Sequence, residues 1–440
     1  MNNPSEDAAA ESSVWAAGLM GLALLSLFAG AAAGLVGAVF RLSLEQGDRW
    51  RDALIDWASD EKLAGFLFVV ATCAAAAALA AWLVQCFSPQ AEGSGIPHVE
   101  AVMQGELQPA PFRLIPVKFF GGLFAIGSGL ALGREGPSVQ MGATIAYLVA
   151  KLFRCREDDC KALLAAGAGA GLATAFNSPI GGAVFVLEEL VRRFDTRITI
   201  ATLGASAGAI AVARLFLGDV PDFRVEQIPY PSFGTVPVHL ALGLIIGCVG
   251  VVYNRAILGT IMIADRLQRL PVALRAALIG ALVGLLGWLA PGVVGGGDAI
   301  TQRTLSGMLS ATLVLGVFLL RFALGPLSYA AGTPGGLFAP ILVLGSQSGF
   351  LFGSLSAQWL PAVAAHQTGL AIVGMAAFFT AVVRAPVTGI ILVTEMTASF
   401  TLLLPMLSAC FAAMLVTNLL GNAPIYDSLR QRTLKKARSG

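Results

Sequence analysis

Residues 14–40, 64–87, 198–217, 276–290 with its flanks, and 402–420 are predominantly apolar over roughly the 20 residues that a helix needs to cross a bilayer. Inside hydrocarbon no water satisfies backbone N–H and C=O groups, so a spanning segment must be a helix or a strand of a closed barrel. Runs alternating apolar and polar residues are missing, which argues against the barrel. The fold class that follows is an all-α polytopic membrane protein. Composition agrees, since 56% of the 440 residues are hydrophobic and 12% charged, where a soluble domain carries about 25% charged residues. A net charge of +2 gives no support to nucleic-acid binding.

The first dozen residues hold acids and neither Lys nor Arg, and the apolar stretch after them is longer than the core of a cleavable signal, so the amino terminus is expected to be retained. Arg430, Arg432, Lys435, Lys436 and Arg438 follow the last apolar segment, which places the carboxy terminus in the cytoplasm by the positive-inside rule. The six cysteines (Cys73, Cys86, Cys155, Cys160, Cys248 and Cys410) read as small core hydrophobes. With no histidine near Cys155 and Cys160, neither a metal nor a cofactor is expected.

A polar stretch at 218–237, with Pro221, Pro229, Pro231 and Pro237, interrupts the apolar pattern. It separates a polar tail (1–13) and a first membrane half (14–217) from a second half (238–421) and a C-terminal segment (422–440). Each half has a Gly/Pro-broken segment and, roughly forty residues later, a proline opening an apolar helix that ends in an acid. These are Gly133-Arg134-Glu135-Gly136-Pro137 with Pro179 to Glu188, and Gly336-Leu337-Phe338-Ala339-Pro340 with Pro386 to Glu395. Matched spacing indicates an internal duplication, and paired broken segments point to a transporter site in an inverted repeat near the bilayer midplane.

Gly93-Ser94-Gly95-Ile96-Pro97, Gly133 to Pro137 and Gly335 to Pro340 each precede a helix with proline in its first turn. Each therefore offers free N–H groups and about half a positive charge. Converging helix termini of this kind suit an anion that must also leave, which a full buried cation would hold too firmly. Glu135 at one such terminus occupies the position an anion prefers, so its protonation and anion occupancy are linked. Glu188 and Glu189 end an apolar helix with Arg192 and Arg193 four residues on, and a local ion pair and a functional membrane acid both remain open on residues alone. Tyr426 and the histidines His98, His239 and His366 have the pattern of interfacial polar residues.

With these motifs and the closing Pro424-Ile425-Tyr426, the chain resembles the CLC family of chloride channels and chloride/proton antiporters, in particular its compact bacterial exchangers, from about residue 15 to about 435. The resemblance implies two inverted-topology halves with tilted and broken helices, and a homodimer with one pore per subunit in the bacterial inner membrane, both termini cytoplasmic. It implies that chloride is held by the hydroxyls of Ser94 and Tyr426 and by amides around Gly95, Ile96, Leu337 and Phe338. Glu135, beside Arg134, becomes the outer gate and Glu189 the inner proton acceptor, with Lys118 and Glu100 as supporting charges. Serine at position 94 goes with chloride, and bromide and nitrate are expected to permeate. Relatives commonly have an acid where His98 stands. The chain ends soon after Tyr426, leaving no room for the cytoplasmic nucleotide-binding (CBS) domains of many relatives. A channel of the same fold, in which Glu189 only pairs with Arg193, is the nearest alternative. An intramembrane hydrolase using Ser94, His98 and Glu100 is a remote one, opposed by the intervening Pro97. Replacing Ser94 by proline should raise the nitrate-to-chloride flux ratio in liposomes, and an unchanged ratio would count against a central place for Ser94.

Overall fold

The structure, a computed structural model, describes residues 4–439 apart from 268 and 359–366, so His366 lies outside the described residues. Among the described residues there is no β-strand. The helices are α1 (Pro4–Ser59), α2 (Lys62–Phe87), α3 (Ile96–Met103), α4 (Leu114–Gly127), α5 (Glu135–Leu152), α6 (Glu157–Phe176), α7 (Pro179–Phe185), continued by a π turn Val186–Leu190, and α8 (Thr196–Leu217). Residues 218–232 carry no helix. Then come α9 (Val236–Arg266), α10 (Val272–Leu289), α11 (Asp298–Leu305), α12 (Ala311–Tyr329), α13 (Phe338–Ser356), α14 (Gln367–Val383), α15 (Pro386–Thr397), α16 (Leu403–Leu419) and α17 (Ile425–Ser439).

Among the described residues eight helices are long and apolar enough to cross a membrane. Five of them, α1, α2, α8, α10 and α16, coincide with the apolar stretches of the sequence. The others are α9, α12 and α13, which carry polar side chains such as Asn254, Arg321 and Gln347, all of them buried. Lengths vary widely. The 42 residues Gly18–Ser59 of α1 extend about 63 Å, twice the hydrocarbon thickness, whereas the eight residues of α3 or α11 cover only about 12 Å. Leu24, Phe28, Ile245, Leu278, Leu319 and Phe411 stand exposed on the outer faces, where lipid rather than water is the matching solvent. Cys86 and Cys248 share that exposed surface instead of lying in the core, because their positions on α2 and α9 face outward; Cys73, Cys160 and Cys410 are buried.

α6 and α14 are buried along nearly their whole length, which explains why neither has a polar face. Their neighbours approach through small residues. Gly142 of α5 lies against Gly167 of α6, and Gly345 of α13 against Gly374 of α14, so that a side chain at any of these positions would enter the facing backbone.

The three broken segments meet in the middle of this packing. Gly93 N–H donates to the Thr333 carbonyl (3.1 Å) and Gly335 N–H to the Gly93 carbonyl (3.0 Å), while Gly133 and Gly336 exchange both bonds at 2.9 and 2.7 Å. Buried Lys118 of α4 donates to the carbonyls of Ala91 (3.1 Å) and Gly93 (2.8 Å), which fixes the loop before α3. Arg321 of α12 treats the loop before α11 in the same way, donating to Gly295 (2.7 Å) and Gly296 (3.1 Å). Gly95 turns into α3 at φ 86°, a conformation that favours glycine. A Cβ on Gly136 would fall 2.6 Å from the Ser94 carbonyl oxygen. Gly136→Ala should therefore cost about 2 kcal/mol or more, read as a lower thermal midpoint in detergent; an unchanged midpoint would mean that the two loops separate freely.

Candidate functional site

α5 and α13 begin at the joined loops, and Glu135, the first residue of α5, reaches across to the start of α13. Its Oε1 accepts the Phe338 N–H at 2.7 Å, and its Oε2, fully buried, has no hydrogen-bond partner. The carboxylate thus sits on one helix N-terminus while belonging to another, the place where partial positive charge and free N–H groups favour an anion. Arg134 does not neutralise it. Its guanidinium pairs with Asp298 (2.7 Å) and Asp222 (3.3 Å), and its Nε donates to the Ala175 carbonyl (2.9 Å).

Beyond Glu135 lie two further buried groups, the hydroxyls of Ser94 and Tyr426, which lie against each other and have no hydrogen bond to any other group. Tyr426, at the start of α17, is completely buried and is no interfacial anchor. Its ring stacks on Phe338 (5.9 Å between centroids), which also meets Phe176, Phe185 and Phe379 at 6.1, 5.7 and 4.6 Å. This aromatic cluster holds the start of α13 and the start of α17 in one place. Ser94 N–H donates to Tyr329 Oη (3.3 Å), a partner 235 positions away that no local pattern marks. A cavity of about 410 Å³ lies beside Gly93 and Gly95, lined among others by His98, Glu92, Asp265, Arg432 and Lys436. Contrary to expectation His98 and His239 are buried; both helices turn these side chains inward. Ser94 and His98 Nε2 share no hydrogen bond, which leaves the serine without the base a hydrolase needs.

A family model described as voltage gated chloride channel matches residues 76–418. The chain belongs to the voltage-gated chloride channel family, the CLC proteins. It is 38% identical over 423 residues to an H(+)/Cl(-) exchange transporter ClcA of Vibrio cholerae, covering 93% of this chain and 89% of the relative, and 36% identical to a ClcA of Salmonella arizonae, covering 95% and 89%. The crystal structure of a slow cyanobacterial Cl-/H+ antiporter superposes with a TM-score of 0.90 at 29% identity over 94% of this chain and 98% of that one. A CLC-type fluoride/proton antiporter shares the fold at a TM-score of 0.76 and 24% identity, over 93% and 97%. The chain is accordingly a multi-pass membrane protein of a transporter family rather than an enzyme.

In this CLC chain the second acidic centre forms around Glu189, in the π turn after α7. Glu189 is 3% exposed, and its Oε1 lies 3.6 Å from Arg192 Nη2. The same guanidinium binds Asp427 at 2.8 Å and approaches buried Glu100 to 4.0 Å, and Arg192 Nε donates to the Glu189 carbonyl at 3.2 Å. One cation therefore gathers carboxylates from three elements, one of them next to Tyr426. Arg193, the partner that spacing suggests for Glu189, is exposed and gives way to Arg192. Glu188 does not pair with Arg192 either. Its carboxylate accepts the N–H groups of Val387 (3.1 Å) and Thr388 (2.6 Å) at the start of α15. Asp427 and Tyr329 escape a sequence reading because their partners lie on other helices; the only local hint is that Asp427 adjoins Tyr426. Arg192→Leu frees Asp427 and loosens the first turn of α17, so chloride affinity by calorimetry should fall about five- to tenfold, near 1 kcal/mol. A lysine at the position should restore part of it.

Proposed function

We propose that this protein is a secondary active transporter that exchanges chloride for protons across a bacterial inner membrane. The observation that carries the reading is the set of two buried hydroxyls, Ser94 and Tyr426, that face only each other beside a Glu135 carboxylate resting on the Phe338 N–H. Chloride takes the space between the hydroxyls and the amides near Gly95, Ile96, Leu337 and Phe338. Hydroxyl and amide dipoles replace part of its hydration shell without a full counter-charge, so the ion is held and released.

Glu135 is the outer gate. As a carboxylate it competes with chloride for the same helix terminus; once protonated it loses its charge, leaves the Phe338 N–H and opens that terminus to the anion. Each anion that enters from outside thus favours a proton on Glu135, which couples the two fluxes. Glu189 receives protons on the inner side, in the cluster held by Arg192 with Glu100. Lys118 keeps the Ser94 loop in shape, and Arg134, tied to Asp298, Asp222 and the Ala175 carbonyl, steadies the start of α5 that carries Glu135. Bromide and nitrate share the path, since dipoles of this kind discriminate weakly between monovalent anions.

The working unit is a homodimer with one pathway per subunit, and both termini are cytoplasmic, in keeping with the basic residues of α17. The two membrane halves, 14–217 and 238–421, form an inverted repeat; the like treatment of the loops before α3 and α11 by Lys118 and Arg321 supports it.

The test uses purified protein in liposomes with a chloride gradient, the voltage clamped near zero by a potassium ionophore, and a pH electrode. Uphill proton movement is expected, lost in Glu189→Gln and in Glu135→Gln while chloride flux persists. Chloride flux with no proton movement in the unmutated protein would instead identify a channel on this fold.

A further inference from the structure

The two proline-to-glutamate helices are matched from Pro179 to Glu188 and from Pro386 to Glu395, yet their ends differ by one residue. Each is entered through a left-handed residue two positions before its proline, Asn177 (φ 47°) and Arg384 (φ 73°). Each is left through another, Arg192 (φ 55°) and Ala398 (φ 51°). The exit lies 13 positions after Pro179 in the first copy and 12 after Pro386 in the second. Because the proline-to-glutamate spacing is the same, the extra residue falls after Glu188, within the π turn Val186–Leu190 that Val191 N–H closes onto the Val186 carbonyl (2.9 Å). A π turn is the form in which a helix absorbs one inserted residue, and α15 has none.

The matched glutamates also cap each other's helices. Glu188 takes the N–H groups of Val387 and Thr388 and the Thr388 hydroxyl (2.7 Å) at the start of α15. Glu395, at the end of α15, takes the N–H groups of Ile180 (3.2 Å) and Gly181 (2.8 Å) and the Ser178 hydroxyl at the start of α7. The helices are therefore antiparallel neighbours, each carboxylate on the positive end of the other's dipole. α7 is held at its first turn by Glu395 and, through the π turn that continues it, by Glu188. The π turn then sends the next side chain, Glu189, away from α15 to the buried side, where Arg192 and Glu100 lie.

We infer that Glu395 is a positioning residue for the proton limb: by fixing the start of α7 it sets the direction in which the inserted residue's turn presents Glu189 to Arg192 and Glu100. The inference rests on the proton role proposed for Glu189. A cap that served stability alone would affect both fluxes alike, whereas a positioning cap affects protons selectively.

The experiment measures chloride and proton fluxes in the same liposomes for Glu395→Ala, Glu395→Gln and Thr388→Val, the last as a milder change that weakens the hold on Glu188. Glu395→Ala should lower the proton-to-chloride ratio about tenfold, the scale of a small misplacement of a reacting group, with chloride flux largely kept. Glu395→Gln, which keeps an acceptor oxygen for α7, should recover part of the ratio, and Thr388→Val should lower it to a lesser degree. In a Glu189→Gln background Glu395→Ala should change the ratio no further. Fluxes falling in equal proportion, or a ratio unchanged by all three variants in a coupled wild type, overturns this inference alone. A wild type that moves chloride without protons overturns the exchange reading and this inference with it.

Discussion

The structure depends on a small knot of backbone hydrogen bonds joining Gly93, Gly133, Gly335 and Gly336. Irregular backbone at membrane depth needs partners for every N–H and C=O, and here three interrupted segments supply partners to one another. Lys118 completes the set by donating to the Ala91 carbonyl and to the Gly93 carbonyl that Gly335 N–H also reaches. The consequence is geometric. Helices α3, α5 and α13 all begin at one point, so their free N–H groups and dipoles share one volume. Side chains at Gly136 or Gly336 would separate the loops, which is why the motif is written in glycine.

Among the described residues three helix N-termini are filled by a carboxylate from another helical segment, and they are not equivalent. Glu188 and Glu395 each accept three hydrogen bonds, whereas Glu135 accepts one from Phe338 and leaves Oε2 without a partner. Hydrogen bonds to a charged group are worth about 1.5–3 kcal/mol each, so the first two carboxylates are firmly fixed and the third is the more weakly held, as the proposed gating role requires. The same arithmetic separates scaffold from the proposed gate. Ser94 and Tyr426, whose hydroxyls have only each other, lie beside the weakly held carboxylate.

The inner acidic cluster follows a different rule. Arg192 serves Glu189, Glu100 and Asp427, and Arg430 also reaches Asp427 at 4.0 Å, so three carboxylates face two guanidiniums and the cluster has reason to hold protons. Asp427 adjoins Tyr426, and Tyr426 stacks on Phe338, whose N–H holds Glu135. A continuous chain of contacts thus links the two glutamates on which the proposed exchange depends.

The lipid-spanning stretches, the three glycine-proline segments and the repeated proline-to-glutamate spacing were legible in the sequence because each is a local pattern imposed by local physics: hydrocarbon length, free helix termini and fixed helix pitch. Glu135 stood out for the same reason, as an acid between glycines. Spacing alone pointed Glu188 to Arg192, Glu189 to Arg193, and His98, His239 and Tyr426 to the interface, and the fold gave different answers. Glu188 found the start of α15, about 200 residues away, since a helix dipole brought close by antiparallel packing outcompetes an arginine one turn along. Arg192 takes the place of Arg193 because the π turn rotates the residues after it. Burial of the histidines and of Tyr426, and the outward facing of Cys86 and Cys248, depend on which side of a helix meets protein and which meets lipid, and both sides look apolar in a membrane sequence. Sequence by itself determined the solvent, the helices and the loops that must be irregular; only tertiary structure decided which carboxylate rests on which helix terminus, because that depends on contacts between segments hundreds of residues apart.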